Sequence, residues 1–136
     1  MKRIIECVPN FSEGRDMEVI NQITSAITAA ANVRLLDVDP GEATNRTVVT
    51  FAGSPEDVVE AAFAGVKRAA ELIDMRKHKG AHPRMGATDV LPLVPVSSTI
   101  LYIQHSTTTK FDGRTIGDII DDVDILGIDC QFICLR

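Results

Sequence analysis

No stretch of this chain is long and apolar enough to suggest a membrane span. The N-terminus, Met1-Lys2-Arg3, leads into only a few apolar residues before Pro9, too few for a signal-peptide core. Cysteine is scarce. Cys7, Cys130 and Cys134 form an odd set with no framework spacing, which suits a reducing compartment. Cys130 and Cys134 make C-x3-C without a second pair, which argues against zinc. Positive charge is not in excess: 14 Lys and Arg against 19 Asp and Glu give a net charge of −5. That balance disfavours nucleic acid or an anionic membrane as the main partner. Neither G-x-G-x-x-G nor a Walker A sequence occurs. There is no internal repeat, low-complexity segment or linker. The expectation is a single cytoplasmic domain, and 136 residues are enough to bury a real core.

What is present reads as alternating strands and helices. Arg3 to Val8 is a β-type run ended by Pro9-Asn10, with a turn at Phe11 to Gly14. From Asp16 to Ala30, Val19, Ile20, Ile23, Ile27 and Ala30 recur at helical spacing. Val33 to Val38 is expected as a strand closed by Asp39-Pro40-Gly41, and Arg46 to Phe51 as another. Ser54-Pro55-Glu56-Asp57 is a helix start: Ser54 can cap, Pro55 suits the first position, and Asp57 complements the dipole. Val59, Ala62, Phe63, Val66, Ala69, Ala70 and Ile73 would carry that helix's apolar face. Val90 to Val96, with Pro92 and Pro95 inside, is expected as an edge or bulged strand. The order β-α-β-β-α-β predicts an α/β two-layer sandwich, ferredoxin-like, with a mixed sheet and both helices on one face. Residues 1–97 form this core. Residues 98–136 are a divergent tail, with a strand expected at Ile100 to Gln104, a helix at Thr115 to Leu126 and a final strand at Cys130 to Leu135.

The chemistry concentrates in His78-Lys79-Gly80-Ala81-His82-Pro83-Arg84-Met85-Gly86. Two imidazoles, two fixed cations, two glycines and a proline sit between apolar segments. Histidine is the usual acid–base group near neutrality, and Lys79 and Arg84 can hold an anion beside it. The glycines and the proline argue for a shaped loop rather than a helix. His78 and His82 have the i, i+4 spacing of a helical zinc pair. Gly80 and Pro83 oppose that helix, so no metal is expected. Other polar candidates fall at strand ends: Asn10, Asp39, and Asn45 with Arg46. Asn10 can equally make a turn. Asp37 and Asp39 are expected on opposite faces, at least one of them solvated. Arg46 can be a plain surface cation, His105 is expected to be exposed, and Cys7 is expected to be a small buried hydrophobe. The residues alone point to acid–base work on a small anionic substrate by either histidine.

Several strings resemble the glutamate formiminotransferase family. Glu6-Cys7-Val8-Pro9-Asn10-Phe11-Ser12-Glu13-Gly14-Arg15 looks like its opening. Leu36-Asp37-Val38-Asp39 and Thr44-Asn45-Arg46-Thr47-Val48 look like its next segments. Leu72-Ile73-Asp74-Met75, His78-Lys79-Gly80 and His82-Pro83-Arg84-Met85-Gly86-Ala87 resemble its active-site stretch. The spacing between them fits without gaps from about Ile4 to Val96, and the match weakens after about Ser97.

The resemblance implies the N-terminal subdomain of a folate-dependent transferase of one-carbon groups. Its reaction moves the formimino group of N-formimino-L-glutamate to N5 of tetrahydrofolate, a step of histidine degradation. His82 falls on the family's acid–base histidine. Asn10, Asp39, Asn45, Arg46, His78, Lys79 and Arg84 are the candidate substrate-binding residues. Tetrahydrofolate is the expected co-substrate. The chain is too short for the family's second subdomain, so a homo-oligomer or a partner chain would have to supply it. Two other readings stand beside this one: a non-catalytic folate-binding or interaction module, and a metal-dependent hydrolase using both histidines.

Overall fold

The computed structural model describes residues 3–81 and 86–97. The elements in chain order are β1 (Ile4–Cys7), β2 (Asn10–Phe11), α1 (Met17–Ala30), β3 (Arg34–Gly41), β4 (Arg46–Gly53), α2 (Pro55–Leu72), β5 (Thr88–Val90) and β6 (Leu93–Ser97). His82 and Arg84 lie outside the described residues, as do all the elements expected after residue 97.

Each helix begins where its sequence provides a cap. Asp16 accepts from the amides of Glu18 and Val19, so the periodic run becomes helical at Met17. Ser54 accepts from the Asp57 amide, and Pro55 opens α2 without wasting an amide. The apolar face of α2 is turned from the expected one. Val58, Ala61, Ala62, Gly65, Val66 and Ala69 are buried, whereas Val59, Phe63 and Ala70 are only partly covered. Small size decides this. Gly65 lets α1 approach closely: a Cβ there would lie 2.7 Å from Ile27 Cγ1.

β4 is the spine of the sheet. It pairs with β3 on one side and with both β1 and β2 on the other. β6 then pairs with β1, and β5 with β2. Among the described residues every pairing is antiparallel, which corrects the expected mixed sheet. The helical crossover does return β3 parallel to β1, but β4 lies between them. Asn10-Phe11, expected as a turn, is a short strand continuing β1 past Val8-Pro9. β3 also runs on through Asp39-Pro40-Gly41, where a stop was expected. Among the described residues it pairs only with β4, so Pro40 removes no amide that another described strand needs. The run with Pro92 is broken into β5 and β6. Pro95 sits in β6, which among the described residues pairs only with β1, an edge position there.

Alternation along β4 buries Thr47, Val49 and Phe51 on one face. Ile5, Cys7 and Phe11 join them from β1 and β2, Ile23 and Ile27 from α1, and Val58, Val66 and Ala69 from α2. Cys7 is fully buried, as expected. The opposite face carries Arg46, Val48, Thr50, Asn10, Asp37 and Asp39. The two aspartates share that face and both are exposed. Residues two apart on a strand point the same way, which overturns the expectation of opposite faces. Among the described residues, no helix is long and apolar enough to cross a membrane.

The close approach of the helices predicts strong coupling at Gly65. Gly65→Ala should cost about 1–2 kcal/mol through overpacking, despite alanine's better helix propensity. Trimming the partner with Ile27→Ala, which removes both Cγ1 and Cδ1, should make the double variant less destabilised than the sum of the singles, measured by urea unfolding.

Candidate functional site

One end of the sheet gathers most of the candidate residues that the structure describes. There β3 ends at Gly41, β4 begins at Arg46, β2 ends at Phe11 and β5 begins at Thr88. The chain leaving α2 passes over the same end through His78 to Ala81.

Asn45 closes the turn between β3 and β4 and has φ 51, in the left-handed region. Asparagine tolerates that region better than most residues. Its side chain is buried, with Asn45 only 7% exposed. Every polar group of this residue is used. Its amide donates to the Glu42 carbonyl at 3.2 Å. Its Oδ1 accepts from the Gly14 amide at 2.9 Å, and its Nδ2 donates to the Lys79 carbonyl at 3.0 Å. Its own carbonyl lies 3.0 Å from His78 Nε2. A carbonyl can only accept, so this contact assigns the ring proton to Nε2. Ala81 adds a backbone bond to the Ala43 carbonyl.

The far end of the loop is held from β2. Ser12 Oγ donates to the Gly86 carbonyl at 2.7 Å, and the Ser12 amide donates to the Ala87 carbonyl at 2.8 Å. Residues 82–85 are therefore flanked on both sides by anchored chain. Gly14 makes the convergence sterically feasible. A Cβ there would stand 2.5 Å from both the Arg46 nitrogen and the Gly41 oxygen. Arg15 Nε closes the cluster with a bond to the Glu42 carbonyl.

Arg46 reaches across β2 to Asp89, with Nη2 2.9 Å from Oδ2 and side-chain exposures of 18% and 11%. Asp89 lies in the bulge where β5 shifts register against Asn10-Phe11. A half-buried pair of this kind gains more from its Coulomb energy than a solvated one, and losing one partner strands the other. Asn10 faces the same side and donates to the Val8 carbonyl at 3.2 Å. Asp39, Val48, Asn10 and Val90 form one row across four strands. Asp39 thus lies two strands, roughly 10 Å, from Asn10. Lys79 and Asp39 are exposed.

The structure therefore brings Asn10, Asn45, Arg46, His78 and Lys79 to one end, with Asp39 one turn of chain away on β3. Sequence reasoning missed Ser12, Gly14 and Asp89. A glycine followed by a helix cap hints at a tight approach, but which chain approaches is invisible without the fold. Among the described residues, no group of three or more His, Cys, Asp and Glu side chains converges as a metal site would require.

Beside the loop, Arg76 grips Asp74 with two bonds of 2.8 and 3.0 Å. This bonding holds the Asp74 carboxyl down, to about 2 from an ordinary 3.8. The contact therefore contributes above pH 4 and is lost as pH falls toward 2. Arg76→Ala should move the Asp74 titration up toward the ordinary range, with the residue 76 amide and Lys77 still holding it somewhat low, read by carboxyl carbon NMR. Gly14→Ala should cost about 3 kcal/mol in urea unfolding, because both clashing atoms are backbone and cannot swing aside.

Residues 4–119 match the formiminotransferase domain, N-terminal subdomain. Formimidoyltransferase-cyclodeaminase of Rattus norvegicus is 59% identical over 96 residues, covering 71% of this chain and 18% of that protein. The protein of the same name from Dictyostelium discoideum is 55% identical over 119 residues, 88% of this chain and 22% of its own length. Glutamate formimidoyltransferase of Thermoplasma acidophilum is 52% identical over 96 residues, 71% of this chain and 32% of its own length. The chain thus spans about a fifth to a third of these relatives. It belongs to the formiminotransferase family, in the part occupied by the N-terminal subdomain.

Proposed function

We propose that this chain is the N-terminal part of a folate-dependent formimidoyltransferase, acting on N-formimino-L-glutamate and tetrahydrofolate in the cytoplasm. Its family membership carries this reading, because the matched region spans the whole His78–Gly86 loop. The fold reading accompanies it. Taking β1 with β2 as one interrupted strand, and β5 with β6 as another, gives a ferredoxin-like βαββαβ unit.

In the proposed reaction, N5 of tetrahydrofolate attacks the formimino carbon and forms a new C–N bond. The tetrahedral intermediate collapses by breaking the bond to the glutamate nitrogen. That nitrogen leaves as an amine and needs a proton, which His82 would donate after taking up the proton that N5 loses. Asp39, exposed on the outer face, would stabilise the cationic formimino group. Lys79 and Arg84 would bind the substrate carboxylates, with the guanidinium suited to two parallel bonds. Arg46 already engages Asp89, and Asn45 spends its carboxamide internally. We infer that these two shape the site rather than contact substrate, and that His78 supports the loop.

The test is formation of 5-formiminotetrahydrofolate by the chain, alone and mixed with a separately expressed remainder of a relative. His82→Ala should lower turnover about 10²–10⁴-fold, the usual worth of a positioned acid. Wild-type rates in both His82→Ala and Arg84→Ala would sink the scheme. Tetrahydrofolate bound without turnover in either mixture would favour a non-catalytic folate-binding module.

A further inference from the structure

We propose that Asn45 and Ser12 are positioning residues, forming a two-ended clamp that fixes where the His78–Gly86 loop leaves and rejoins the scaffold. The inference rests on the functional reading above for what the loop does. The clamp itself rests on geometry alone.

The two anchors are not independent contacts. Ser12 holds the Gly86 end, while Gly14, two residues on, holds Asn45, which holds the Lys79 end. One segment of chain thus governs both ends of the loop. Asn45 is also an expensive choice for a mere turn. Glycine would satisfy φ 51 with no strain and would bury no carboxamide. What asparagine adds is an acceptor aimed at Gly14 and a donor aimed at Lys79. The same residue, through its carbonyl, fixes His78 with its proton on Nε2. A ring held in one tautomer keeps the chain beside it in one orientation, which a generic surface loop does not need. Positioning of this kind matters because small misplacements of a reacting group cost large factors in rate.

Asn45→Asp separates the two functions of the side chain. It keeps an oxygen for the Gly14 amide but turns an oxygen toward the Lys79 carbonyl, which repels it. Hydrogen exchange in the ¹⁵N-labelled protein, with no folate present, reads the result. The Ala81 amide, bonded to Ala43, should exchange at least tenfold faster, while the Gly14 amide stays within twofold of wild type. The His78 Nε2 proton should disappear from the spectrum as the loop loosens. Ser12→Ala should speed exchange of the residue 12 amide, and Ser12→Thr, which keeps the hydroxyl, should restore it. Thr28→Ala, on the remote surface of α1, should change none of these. Unchanged Ala81 exchange in Asn45→Asp overturns the proposal. If that variant fails to fold, Asn45→Gly decides in the same way, because glycine meets the backbone requirement. The exchange pattern judges the clamp, and wild-type turnover judges the functional reading, so the failure of one is distinct from failure of the other.

Discussion

The carboxamide of Asn45 joins three segments that are far apart in sequence. Around it lie the turn from Gly14 into α1, the hairpin between β3 and β4, and the chain leaving α2. Buried amides need partners, and an orphaned one costs about 1–3 kcal/mol. The Gly14 amide and the Lys79 carbonyl are both met by this one side chain. That solution demands a left-handed residue at 45 and the absence of a Cβ at 14. The geometry therefore constrains several positions at once. The hairpin cannot change its turn without releasing the loop, and the β2–α1 connection cannot widen without losing the hairpin.

β4 transmits this local arrangement to the whole domain. Its inner residues, Thr47, Val49 and Phe51, carry the core that both helices cover. Its outer residues begin with Arg46, directly after Asn45. A shift of one residue in register would exchange the two faces, sending Arg46 into the core. The hydrophobic pattern therefore fixes the register, and the register fixes which residues stand at the site end. The ion pair from Arg46 to Asp89 then ties β4 to β5 over the intervening strand. Packing and site geometry are in this sense one constraint.

Much of this was legible in the residues. Helical spacing from Asp16 to Ala30 announced α1 and the Ser54 cap announced α2, because both signals are local. The β-branched run Arg46–Phe51 announced β4 for the same reason. Asn10-Phe11 was misread because two residues give no period to detect, and a proline before them looks like a stop. The end of β3 was misplaced because Pro40 breaks a central strand but not an edge, and edge position is a tertiary property. The face of α2 was misjudged because Gly65 looks unimportant on a hydrophobicity count, yet its lack of a side chain sets how closely α1 sits. At the site, the histidine loop was visible from its composition, whereas the roles of Ser12 and Gly14 were not. Their importance comes from what approaches them, 74 and 31 residues away in sequence.

The division of the polar groups at the site end follows from the same geometry. A substrate that joins a cationic formimino group to carboxylates needs both signs of charge within reach. Charges already neutralised inside the scaffold cannot offer that field, because their Coulomb energy is spent on each other. Arg46 and Asp89 neutralise one another, so together they contribute shape and little net charge. Asp39 and Lys79 are exposed, opposite in sign, and carried on chain that Asn45 and its neighbours hold in place. Under the proposed reading, their charges act on substrate because the buried pair and the buried amide have already met the scaffold's own needs. A site assembled in this way keeps its fixed dipoles and its substrate-facing charges on different residues. Changing the exposed pair would then alter binding while leaving the loop where it is. Changing Asn45 would move the loop while leaving the charges intact.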